Sequence, residues 1–398
     1  MQPPTNLPPP KTRDLSETVW TKIDRKATAI AEFTIRQYRK KRSTWTVGAV
    51  GALVVVIVLL FYIDAMSTGL DSWDSDGDGQ IDEDPSNWDG SQLKSVGDVD
   101  DDGDCWSREE FDRDWNGDGI DCNVIYRYDQ NGALISVNAD PNVDEDSDES
   151  AFLEESLHRS FLMGFGKFGF LFVLGIFLPL FLATGLIRDE QEAGTLHYLV
   201  GKPIARAEIL TYRLLGFIGL AWPYFTGLVV LSALVTGFFG PGDSIYRFTD
   251  LGIWLGILLA ILLTVLAYAA VFATLGIIAP RFGVALALLF AVWEFFMMFL
   301  SMIPGARDLG IATLSISFWG GEVINSIGWV VWNDYDFMYG QALIVDPFAQ
   351  LALWTVWYSP FPTTNPLLNL VISIIALLVI SLIFILIGQS TFKQRELN

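Results

Sequence analysis

Apolar residues along this chain gather into long unbroken runs, not into the narrow stripes that a soluble helix or strand would show. Six runs approach or exceed the roughly 20 residues that carry a helix across a bilayer: 46–66, 165–187, 213–239, 251–279, 282–303 and 367–388. Ahead of the first run, MQPPTNLPPP opens a segment, 1–13, with the composition of a disordered tail. From 14 to 45 the pattern turns helical, with Trp20, Ile23, Ala27, Ile30, Thr34 and Tyr38 on one face and Lys and Arg elsewhere. This predicts a basic helix lying on the inner membrane surface. Residues 304–366 are too apolar for an ordinary loop: ISFWGGEVINSIGWVVW and FAQLALWTVWYSPF carry many Trp and Ile. Each is too short or too polar to span, which predicts re-entrant or interfacial helices packed against protein. Trp319, Trp329, Trp332, Trp354 and Trp357 are expected at the headgroup level. The expected fold is an all-α polytopic membrane protein of six spans with one loop-rich acidic insert.

Composition agrees: 52% of the 398 residues are hydrophobic. The first run begins too late for a cleaved leader and lacks a small-residue cleavage site, so it reads as a retained anchor. Orientation follows from the basic cluster RQYRKKR at 36–42, which belongs on the cytoplasmic side. Arg188, Lys202, Arg206 and Arg213 place the 188–212 loop inside as well. Both termini, including the tail 389–398, are then cytoplasmic, and the segment 67–158 faces outward at the cell membrane.

The net charge of −21 belongs to that outer segment, because 67–158 holds 28 acidic and 4 basic residues. Its acids are ordered. DSDGDGQIDEDP, 74–85, sets Asp74, Asp76, Asp78 and Gly79 at positions 1, 3, 5 and 6 of an EF-type loop, with Asp82 at position 9. Pro85 stands where the bidentate Glu belongs, so Glu83 or Asp84 would have to substitute. DVDDDGDCWSRE, 98–109, fits best, with Asp98, Asp100, Asp102 and Gly103 in register, Asp104 beside them and Glu109 at position 12. DWNGDGIDC, 114–122, brings Asp114, Asn116, Asp118 and Gly119. Alternate carboxylates converging on a hard cation, with glycine at the turn, point to Ca²⁺. This third piece resembles the excalibur motif, with Asn116 and Asn123 as departures, and the first resembles thrombospondin type 3 or dockerin repeats. The only two cysteines, Cys105 and Cys122, lie here, where a disulfide persists on the outer face. Closing that loop would contribute about 3 kcal/mol in the chain-entropy picture. Without nearby histidines the pair makes no zinc site.

The cytoplasmic loop contains EAGTLHYLVGKP, which has the glycine–lysine pair of a phosphate cradle. Six residues separate Gly194 from Gly201, Pro203 stands where a Ser or Thr should hold magnesium, and a membrane run precedes it instead of a strand. This chain is therefore expected to bind no nucleotide. The loop reads instead as a short helix, a tight turn at Gly201-Lys-Pro and a second helix entering the third span, a shape suited to a partner's groove.

RDEQEAGTLHYLVGKPIARAEILTYRLLG, 188–216, resembles the corresponding loop of ABC-2 type transporter permeases through Glu192, Gly194, Thr195, Leu196, Leu199, Pro203, Arg206, Glu208, Ile209 and Leu210. His197 replaces a frequent Glu. The basic helix before the first span, the six spans and the helices before the last one extend the resemblance, while the 67–158 insert lies outside it. The resemblance implies that Glu192, Gly194, Thr195, Leu196, Leu199, Pro203 and Arg206 couple to a separate ATPase dimer. It also implies that a second permease copy, as a homodimer, completes the pathway, and that this chain is a transporter subunit, not an enzyme. Nothing in the sequence points to nucleic acid. The competing class is a calcium-dependent surface adhesin or sensor, for which one span would suffice. Glu294, in VWEFFMMF, is the costly intramembrane acid and a candidate for the transport path.

Overall fold

The structure is a computed structural model that describes residues 19–68, 125–128, 134–138, 158–186, 206–242, 244–302, 309–332, 363 and 365–394. Helices dominate it. They are α1 (Val19–Lys40), α2 (Arg42–Thr68), α3 (His158–Ala183), α4 (Arg206–Phe239), α5 (Leu251–Ile278), α6 (Gly283–Met302), α7 (Ile316–Val331) and α8 (Pro366–Gln394). Helices α2, α3, α4, α5 and α8 are long and apolar enough to cross a bilayer, and α6 adds a shorter apolar helix. The chain is an all-α polytopic membrane protein in its bulk. The acidic insert adds one antiparallel hairpin, β1 (Ile125–Tyr128) with β2 (Leu134–Asn138), its register shifting between Arg127 and Tyr128. The remainder of that segment, with every calcium-loop residue and both cysteines, lies outside the described residues.

Helix α5 is the hub, packing against α3, α4, α6, α7 and α8. Most of its residues are buried, from Ile253 to Ile277. Helices α2, α6 and α8 instead leave long apolar faces bare, such as Leu53, Leu60 and Phe61, or Leu378, Leu382 and Leu386. Local chemistry sets several ends. Asn365 accepts from the amides of Leu367 (3.1 Å) and Leu368 (3.2 Å), and Pro366 takes the first helical position, where its missing N–H costs nothing. Helix α3 widens into π-helical turns over Phe165–Leu174 and carries Pro179 inside its last stretch.

Helix α7 lies antiparallel along the N-terminal half of α5. Gly320 sits against Thr264, Ile327 against Gly256 and Val331 against Gly252. Small residues let the two backbones approach, as in membrane bundles generally. Its two central glycines and Glu322, Val323, Ile324 and Asn325 are all buried. The tryptophans expected at the headgroup level are partly drawn into protein: Trp332 is buried and Trp319 donates to the carbonyl of Thr313 at 2.8 Å. Trp354 and Trp357 lie outside the described residues.

The stripe on α1 also faces protein. Ile30, Thr34 and Tyr38 are buried, and α1 packs along α4. An amphipathic pattern reveals which face is covered, not what covers it. At the contact, a Cβ on Gly216 would come within 2.7 Å of the Thr34 side chain and 2.8 Å of the Ala31 carbonyl. Gly216→Leu is therefore expected to push α1 off its seat at a cost of about 1–3 kcal/mol. Limited trypsinolysis in detergent should then cut at Arg36 and Arg39 faster than in the parent, and unchanged cleavage would contradict the docking.

Candidate functional site

Three polar clusters are set into the apolar bundle, and a fourth lies at the ends of the helices that flank residues 187–205. The first is built on Glu294 of α6, which is fully buried. Its Oε1 accepts from the Ile316 amide at 3.0 Å. Its Oε2 accepts from the Ser317 amide (3.0 Å) and from the hydroxyls of Ser317 (2.9 Å), Ser315 (2.7 Å) and Tyr268 (2.8 Å). Ser315 in turn caps α7 by accepting from the Phe318 amide at 3.2 Å. A carboxylate here meets the positive end of the α7 dipole and the orphan amides of its first turn. Glu294 thus fixes where α7 starts, midway along α5. Both carboxyl oxygens accept hydrogen bonds, and the side chain is buried among the described residues.

The second cluster joins α7 to α8. Glu322 and Ser326, one turn apart, face Asn369, whose Nδ2 donates to Glu322 Oε2 and to Ser326 Oγ, each at 2.8 Å. All three are completely buried, and Asn369 Oδ1 has no partner among the described residues. Asn369→Leu strips a buried carboxylate of a donor and is expected to cost about 1.5–3 kcal/mol. The Glu322→Leu, Asn369→Leu double variant should fall short of the summed single effects, because neither polar group is then left unanswered. Additive losses in thermal melts would contradict the pairing.

The third cluster lies where the insert joins the bundle. His158, at the start of α3, is buried; its Nδ1 shares a 2.6 Å hydrogen bond with the Tyr62 hydroxyl of α2, and its Nε2 lies 2.9 Å from Asp250 Oδ2. Asp250 also accepts from Arg247 Nε at 2.9 Å and from Trp332 Nε1 at 3.1 Å. The Arg159 guanidinium covers the Trp332 ring at 5.0 Å. One knot therefore ties α2, α3, α5 and α7 together at a single end of the bundle. No local pattern in the sequence pairs His158 with an aspartate 92 residues away.

At the opposite end, Arg213 is almost fully buried and donates to the carbonyl of Leu186, the last described residue of α3's stretch. Its guanidinium also lies over the Phe33 ring of α1 at 5.9 Å. The Tyr38 hydroxyl donates to the Leu182 carbonyl at 2.7 Å, and Gln389 of α8 donates to Thr211 at 2.7 Å. The basic helix, the end of the second span, the start of the third and the last span are thereby clasped at the loop's base. Of the residues assigned to coupling, Arg206 opens α4. Glu192, Gly194, Thr195, Leu196, Leu199 and Pro203 lie outside the described residues, as do the calcium-loop residues Asp74 to Asp118.

These features define a class: a polytopic helical membrane protein with a short buried helix, α7, anchored in its core. The family model described as ABC-2 family transporter protein matches residues 28–397, and the chain belongs to that family of ABC transporter permeases. No curated protein and no solved structure gives a match.

Proposed function

We propose that this chain is the membrane half of an ATP-driven transporter, working with a separate ATPase dimer that binds its 188–212 loop. The observation that supports this most is the bracing of that loop by Arg213, Leu186 and α1, beside a family match that covers nearly the whole chain. A push on the loop would pass through packed helices into α4 and α3 instead of being lost in a flexible tether. Glu192, Gly194, Thr195, Leu196, Leu199, Pro203 and Arg206 form the contact in this reading. Both termini face the cytoplasm of the cell membrane, and the bare apolar faces of α2, α6 and α8 meet lipid and a second copy of the chain. Reconstituted alone, the chain should hydrolyse no ATP; with its ATPase, hydrolysis should appear and respond to cargo. Hydrolysis by the isolated chain would overturn the division of labour.

The outer segment is proposed to bind Ca²⁺ through Asp74, Asp76, Asp78 and Asp82, through Asp98, Asp100, Asp102, Asp104 and Glu109, and through Asp114, Asn116 and Asp118. A Cys105–Cys122 disulfide would staple the last two loops. A segment with so few apolar residues needs such ties to hold a fold. Chelation with EGTA is expected to expose the 67–158 segment to protease while leaving the helical bundle intact. Equal cleavage with and without Ca²⁺ would count against the metal.

A further inference from the structure

We propose that the cytoplasmic end of the bundle holds an anionic phospholipid, its phosphate headgroup seated between α1, α3 and α6. A cavity of about 260 Å³ opens there, lined among others by Lys41, Ser43, Tyr38, Thr184 and Val284. Lys41 occupies the one non-helical position between α1 and α2, and its ammonium lies 5.7 Å from the Tyr38 ring centre. The Tyr38 hydroxyl is tied to the Leu182 carbonyl, so this wall is fixed. Lys40, Arg42 and Arg281 are exposed at the same end of the bundle. A compact cation on a polar rim, with more basic groups about its mouth, suits a phosphate group.

The cavity's membrane side favours a lipid over a free anion. Helices α3 and α6 run side by side, as the 5.3 Å contact between Phe172 and Phe295 shows. Phe181 of the cavity wall stacks on Phe177 one turn deeper at 6.3 Å, and both are exposed. On α6, Leu288 lies one turn beyond Val284 and is exposed too. Exposed apolar side chains of α3 and α6 therefore continue from the polar seat toward the middle of those helices, where an acyl chain would lie. This inference does not depend on the ATPase partner.

The test is native mass spectrometry of the full chain in detergent, offered equal amounts of phosphatidylglycerol and phosphatidylcholine. The parent should retain phosphatidylglycerol preferentially. Lys41→Gln should lower that retention about fivefold, the share of one basic residue near an anionic surface. Val284→Trp, which fills the cavity without changing charge, should lower it likewise. Lys393→Gln, an exposed basic residue on α8, should behave as the parent. Equal retention of the two lipids would overturn the proposal, as would equal losses in the Lys41 and Lys393 variants or full retention in Val284→Trp. Displacement of the lipid by millimolar inorganic phosphate would assign the site to a free anion instead.

Discussion

Glu294→Ala is expected to destabilise the bundle by about 3–5 kcal/mol, the range seen when one side of a buried charged network is removed. Five donors converge on this carboxylate, two of them amides in the first turn of α7. Alanine leaves those amides buried without an acceptor and opens a cavity beside Tyr268. Glu294→Gln keeps one oxygen but turns an amide group toward N–H and O–H donors, so it should cost about 1–3 kcal/mol. Both variants should melt earlier in detergent. They should also loosen α7, seen as faster hydrogen exchange over 316–331. A side chain that acted on cargo directly would give the opposite pattern: normal melting with lost transport. The intramembrane acid, a transport-path candidate from sequence, also caps the first turn of α7 in this geometry.

The second large effect concerns the cytoplasmic loop. Leu199→Asp or Glu192→Lys should weaken ATPase binding by about 2 kcal/mol or more, as expected for a buried interface anchor. That corresponds to roughly thirtyfold in affinity. Arg213→Ala acts differently, because Arg213 is buried against Leu186 and Phe33 and has almost no surface to offer a partner. It should leave binding nearly intact but reduce transport per ATP hydrolysed, since the clasp to Leu186 and Phe33 is gone. Arg213→Lys keeps the charge but loses the planar fork, and should recover only part of the function. If all four variants bind and transport as the parent does, the loop is not the coupling element.

Much of this was legible in the sequence where the signal is local. Run length alone marked out the membrane helices, since a bilayer demands about 20 apolar residues wherever they fall. The short apolar helix α7 was legible because ISFWGGEVINSIGWVV is too short to span and too apolar to be a loop. The 188–216 pattern is readable for the same reason: it is one contiguous stretch, and the family match covers it. What stayed hidden is non-local. Glu294 stood out as a costly charge, but its partners at 315–317 approach only because α7 folds back along α5. The Tyr62–His158–Asp250 knot draws on three distant stretches, and no periodicity links them. The stripe on α1 was visible while its cover, α4, was not.

The central claim is that this permease works through a partner ATPase held by its cytoplasmic loop. The most direct test is affinity purification of the tagged full chain from its native membranes, with the copurifying proteins identified and quantified. An ATPase subunit bearing a complete phosphate-binding loop should come down in a one-to-one ratio with the chain, and the Leu199→Asp chain should lose it while remaining folded. Recovery of the stable, folded parent chain with no such ATPase would contradict the account.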